Sequence, residues 1–157
     1  MVPALQLSLR AAVAATLALA LAQVLKLQHP GYAMISAVIV TDLQPAETRN
    51  LAPPRLVGTL IGGVFGAAIN SVLPPSLWTI ASGIMISMFV GDLMSLPATA
   101  KVAGYVCGII LLDHGHAPWS YAFFRMVETA LGIGTAICVS IVPKLMRTND
   151  REKVSGP

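Results

Sequence analysis

The sequence predicts an all-α integral membrane protein: six transmembrane segments in a 3+3 inverted repeat, with segments 2 and 5 short or broken. Three observations predict it. Of 157 residues, 55% are hydrophobic and only 11% charged, where a soluble domain carries about 25% charged residues. The apolar residues fall in long uncharged runs, 11–25, 31–41, 56–91, 102–112 and 129–143. A stretch of the first half also recurs in the second at a constant offset.

Segment 1 covers about 8–27, an Ala/Leu run behind Arg10. Arg10 followed by Ala11–Ala22, ending in an A-x-A pattern, also resembles a signal peptide, but its removal would break the repeat. Segment 2 covers about 31–42. Its uncharged run of eleven residues reaches about 16 Å as a helix, against a bilayer core of about 30 Å. A link follows, Asp42 to Pro54, expected to hold a short interfacial helix near 45–51. Pro45 suits a first turn, and Pro53-Pro54 should stop that helix and restart the chain. The run 56–91 is too long for one crossing. Leu73-Pro74-Pro75-Ser76 divides it into segment 3 (about 54–73) and segment 4 (about 76–94). Segment 5 (about 97–112) is again short, with Pro97 before it. Segment 6 spans about 118–143, and 148–157 is a polar tail. One transmembrane domain, 1–147, with repeat halves of about 5–73 and 76–143, accounts for the chain.

The repeat pairs Arg55-Leu56-Val57-Gly58-Thr59-Leu60-Ile61-Gly62 with Arg125-Met126-Val127-Glu128-Thr129-Ala130-Leu131-Gly132. Arg, Val, Thr and Gly match at an offset of 70. The uncharged runs ending at Asp42 and Asp113 agree at an offset of 71. Three crossings per half is an odd number, so the halves must run in opposite senses. Short segments at matching places in the two halves point to a transport site. With both termini cytoplasmic, Arg10, Arg49, Arg55, Lys101, Lys144, Arg147, Arg151 and Lys153 lie inside. Only Lys26 and Arg125 lie outside, as the positive-inside rule expects.

Arg125 is the leading site candidate. A guanidinium within a transmembrane helix costs roughly 2.5–3.5 kcal/mol on insertion scales, so it needs a partner or a wet path. Three readings stand: it lines an anion path, it pairs with Glu128 on the same helix face, or it snorkels outward. Glu128 is either the group that orients Arg125 or a proton-coupling carboxylate; Thr129 accompanies it. Arg55 could form the inner end of the path or anchor its helix at the interface, and Lys101 has the same two readings. Lys26, near the outer mouth, attracts anions or snorkels. Gly58, Gly62 and Gly66 form one small-residue ladder and Gly104/Gly108 another, where helices approach closely.

The net charge of +3 does not point to nucleic acid, because the basic residues flank apolar runs and form no patch interleaved with aromatics. Cys107 and Cys138 lie inside apolar runs with no ligand spacing and read as small buried hydrophobes. Asp113-His114-Gly115-His116 lacks a fourth ligand and reads as a solvated loop. No metal or cofactor is implied. No catalytic motif appears, so an enzyme is not expected.

The stretch His29-Pro30-Gly31-Tyr32-Ala33-Met34-Ile35-Ser36-Ala37-Val38-Ile39-Val40 resembles the region after the first helix in the fusaric acid resistance and aromatic acid exporter family. Arg55 with Gly58, Thr59 and Gly62, and Arg125 with Thr129 and Gly132, are similar to that family's later motifs. The likeness covers about 5–143. The six-helix membrane part of the plant aluminium-activated malate channels is similar as well. That resemblance implies a homodimer, an anion path lined by basic residues with Arg125 as the pore arginine, and a bacterial origin. The long cytoplasmic domain of those larger members is not expected here.

The expected function is transport of organic or small inorganic anions, as a channel or an exporter in a bacterial inner membrane. The alternative is a non-transporting scaffold that binds a partner through its glycine-rich helix faces.

Overall fold

The computed structural model describes residues 2–96, 98–112 and 117–141. They form six helices: α1 (Val2–Val24), α2 (Gly31–Val40), α3 (Pro45–Val72), α4 (Leu77–Leu93), α5 (Thr99–Leu112) and α6 (Pro118–Ile141). No strand occurs among the described residues. Ala4–Val24, Pro45–Val72 and Pro118–Ile141 are long and apolar enough to cross a membrane, while α2, α4 and α5 are shorter apolar helices. The Asp113–His116 loop and the basic residues Lys144, Arg147, Arg151 and Lys153 lie outside the described residues, as does Pro97.

Along α1 small residues face inward and large ones outward, the reverse of a soluble core. On α1, Ala14, Ala18 and Ala22 pack at four-residue spacing against Ala33 and Ala37 of α2 and Val139 of α6. On its other side Leu5, Leu9, Val13, Leu17 and Leu21 are exposed. In lipid a leucine gains little from burial, so close backbone approach drives helix association instead.

α2 is ten residues long, about 15 Å at 1.5 Å per residue. It stops at Val40 because Thr41 turns extended, with ψ 124°, and its hydroxyl donates back to the Ala37 carbonyl at 2.7 Å. The Asp42 amide then donates to the Thr48 hydroxyl at 3.0 Å, and Arg10 Nη1 donates to the Leu43 carbonyl at 2.9 Å. The link into α3 is thereby tied to α1.

The expected stop at Pro53-Pro54 does not occur. α3 runs unbroken from Pro45 through both prolines to Val72, so there is no separate interfacial helix at 45–51. Each proline removes an amide and frees the carbonyl four residues earlier. Those carbonyls belong to Arg49 and Asn50, which are exposed, so water can satisfy them. Leu73 to Ser76 does break the chain; Ser76 caps α4 by accepting from the Thr79 amide at 3.1 Å.

α3 packs on α5, α6 and α4, while α6 packs on α2, α1 and α3. α1 also packs on α2, and α4 on α5. Direct α2–α3 and α5–α6 contact is slight. Cys107 is buried as expected, but Cys138 is exposed: it lies on the side of α6 turned away from the other helices.

Candidate functional site

Four elements converge on Arg125 and Arg55. Both residues belong to long apolar helices, and each is only 3% exposed. α2 passes both. Its Tyr32 meets Arg125, and one turn later its Ser36 meets Arg55. The Arg125 guanidinium lies over the Tyr32 ring, 3.3 Å from the centroid. Arg55 Nη2 donates to the Ser36 hydroxyl at 3.3 Å, and its guanidinium sits 5.1 Å from the Tyr105 ring of α5. The two cations are near enough to repel one another.

Tyr32 is itself held. Tyr121, one turn before Arg125 on α6, donates its hydroxyl to the Tyr32 hydroxyl at 2.9 Å. The His29 ring leans on both, with centroids 5.7 Å from Tyr32 and 5.1 Å from Tyr121. All three tyrosines of the chain therefore stand around the two arginines.

Glu128 is 0% exposed. Its Oε1 accepts from the His29 backbone amide at 2.8 Å, not from Arg125. Buried polar atoms without a protein partner remain throughout the cluster: Arg125 Nε and Nη1, Arg55 Nε, Glu128 Oε2 and the Tyr105 hydroxyl. A desolvated polar atom left unpaired costs about 1–3 kcal/mol, more when charged. This concentration of open donors and acceptors around two buried cations is what a polar ligand would satisfy.

Close backbone contacts build the scaffold beneath these side chains. A β-carbon at Gly62 would strike the Ala103 carbonyl and lie 2.8 Å from Val106 Cβ and 3.0 Å from the Cys107 amide. A β-carbon at Gly132 would strike the Ala33 carbonyl and lie 2.8 Å from Ser36 Cβ and 3.0 Å from the Ala37 amide. Gly58 faces Val102 and Thr99, and Gly66 faces Ile110, all on α5. Gly104 and Gly108 face Met88 and Ile84 of α4. Both ladders are thus occupied by helices of the same chain.

Of two clefts, one borders the cluster and one lies at the start of α3. One of about 330 Å³ is lined by Gln28, His29, Pro30, Gly31, Tyr32 and Ile35. The other, about 560 Å³, lies over the start of α3 and includes Arg49, Pro53, Pro54 and Ala98. Pro54 directly precedes Arg55.

Of the residues singled out from sequence, the structure brings together Arg55, Arg125, Glu128 and the buried Thr129. Thr59, 70 residues before Thr129, donates its hydroxyl to the Arg55 carbonyl at 2.8 Å. Lys26 and Lys101 are exposed and stand apart from the cluster. Arg55 is buried rather than anchored at an interface. Sequence reasoning missed the roles of Tyr32, Tyr105, Tyr121, His29 and Ser36. A signal was available: aromatic side chains with polar tips, placed inside apolar segments, need a partner at that depth.

The family model described as "Fusaric acid resistance protein-like" matches residues 17–139. No curated protein and no solved structure matches the chain.

Proposed function

We propose an anion-transport function from one premise: the chain belongs to the fusaric acid resistance protein-like family. It is an integral membrane transport protein, with three helices long and apolar enough to span. The finer reading is that it moves organic or small inorganic anions along a path through Arg125 and Arg55. One observation carries this. Arg125 is 3% exposed, donates to no carboxylate oxygen among the described residues, and keeps Nε and Nη1 open. Buried guanidinium donors left unpaired are costly unless a ligand satisfies them. Basic side chains lining a pore offset an anion's loss of hydration.

A cleft near each arginine supports the reading. Arg125 flanks the cleft at Tyr32 and Arg55 the cleft at Pro54, with α2 presenting a polar side chain to each. Lys26 and Lys101, at the surface, would raise the local anion concentration.

The 3+3 inverted repeat is part of this proposal. Exchanging α1 with α4, α2 with α5 and α3 with α6 maps the set of packed helix pairs onto itself. Gly62 meets Ala103, Val106 and Cys107; Gly132 meets Ala33, Ser36 and Ala37. Every member of the second set is displaced by 70 from its counterpart in the first. A homodimer in a bacterial inner membrane, with both termini cytoplasmic, completes the reading. The scaffold alternative relied on free glycine faces, and α4 and α5 already cover them.

The test is anion flux into proteoliposomes. Arg125→Ala should lose roughly a hundredfold, the equivalent of two charge-assisted hydrogen bonds at about 1.5 kcal/mol each. Arg125→Lys should keep part of the flux, retaining the charge without the fork. Equal flux in all three proteins, with assembly intact, would remove Arg125 from the path.

A further inference from the structure

We infer that the anion taken at Arg125 must also carry a hydrogen-bond donor, and that Glu128 selects for it. The inference rests on the anion-path reading and narrows its substrate class. Arg125 and Glu128 lie three residues apart on α6, so their side chains rise from one helix face about 5–6 Å apart at Cβ. The guanidinium offers open donors at Nε and Nη1, and the carboxylate offers an open acceptor at Oε2. Its other oxygen is already used by the His29 amide at 2.8 Å.

A ligand held by Arg125 therefore sits beside a buried acceptor. An anion bringing only acceptors would face Glu128 with like charge and leave Oε2 unpaired. An anion with an O–H or N–H two or three bonds from its charged group can accept from Arg125 and donate to Glu128 together. Sites with a fixed polar partner discriminate against analogues lacking the matching group for this reason. Small hydroxy- or amino-substituted organic anions form the class that fits.

The other half of the molecule supports a specific role for this carboxylate. At an offset of 70 from Glu128 stands Gly58, where even a β-carbon would lie 2.5 Å from Val102 Cβ and 2.8 Å from the Thr99 carbonyl. The scaffold closes there without any side chain. Packing alone thus gives no reason to bury an acid in the second half. His29 and Arg125 face the carboxylate; neither is an acid, so Glu128 is the acidic member of this group.

Isethionate and ethanesulfonate test this, being permanent anions that differ by one hydroxyl. Efflux of each from proteoliposomes is compared at matched concentration. The wild type should carry isethionate about tenfold faster, the value of one hydrogen bond to a charged group. Glu128→Leu should bring the ratio near one, and the isosteric Glu128→Gln should lower it severalfold. The Gln variant decides should Leu not fold. A wild-type ratio of one, with both anions moving well, overturns the inference while leaving anion transport standing. A high ratio that survives in Glu128→Leu or Glu128→Gln overturns the assignment to Glu128. If neither anion moves and other anions fail as well, the transport reading itself fails.

Discussion

At Gly62 the α3 backbone meets the Ala103 carbonyl of α5; at Gly132 the α6 backbone meets the Ala33 carbonyl of α2. Seven residues before each glycine stands a buried arginine, and three before each a buried threonine. Above this shared backbone fit the two stretches part company. Arg55 has a hydroxyl partner in Ser36 and a distant ring, Tyr105, at 5.1 Å. Arg125 has a ring stacked at 3.3 Å and two open nitrogens. Gly58 stands where the other stretch has Glu128. The comparison separates two demands on the same pattern: glycines set how closely the helices cross, and neighbouring side chains set what each arginine can bind.

The largest expected effect concerns the shared part. Gly62→Leu and Gly132→Leu should each cost about 3 kcal/mol or more, because overpacking against rigid backbone cannot relax by a rotamer change. Both proteins should lose their cooperative thermal transition in detergent. If either glycine tolerates leucine with little change in melting temperature, the two crossings are not equivalent. Their parallel would then be one of sequence only.

The second effect concerns the part that differs. Arg55→Ala should reduce anion flux about tenfold, less than Arg125→Ala. Among fully buried nitrogens Arg55 leaves one unpaired, Nε, whereas Arg125 leaves two, and each charge-assisted bond is worth about a factor of ten or more. Proteoliposome flux ranks the two directly. An Arg55 loss equal to or larger than the Arg125 loss would mean that the hydrogen-bond inventory does not set the order along the path.

How much of this was legible in the chain depends on range. The break at Leu73–Ser76 and the six helices follow from local chemistry, proline and a serine cap against apolar runs. The glycines and arginines repeat at a fixed offset and could be singled out. Pro53-Pro54 misled, because whether proline ends a helix depends on who solvates the freed carbonyls, and that is a tertiary fact. Glu128 gains a partner that helical spacing could not name: besides its neighbour Arg125, the carboxylate accepts from the His29 amide, ninety-nine residues away in sequence. Tyr32 under Arg125 joins α2 to α6; its polar tip inside an apolar run signals a partner at depth but not which one. Local rules place an ionisable group at depth without saying which helix will face it.

Lys26 and Lys101 supply the smallest effect and the outer boundary of the comparison. Both were candidates for the path on charge alone, and both are exposed, where an ammonium is hydrated and free to move. Their only route to influence is the field that gathers anions near the protein. Lys26→Ala and Lys101→Ala should therefore change flux by less than about twofold at low salt. At 1 M salt, where the screening length is about 3 Å, the change should vanish. Losses at the buried arginines should persist there, since a desolvated charge is screened far less. Flux measured at both ionic strengths thus sorts the four cations into two classes. A salt-insensitive loss at either lysine would move it from the surface into the path and extend the site beyond the two arginines.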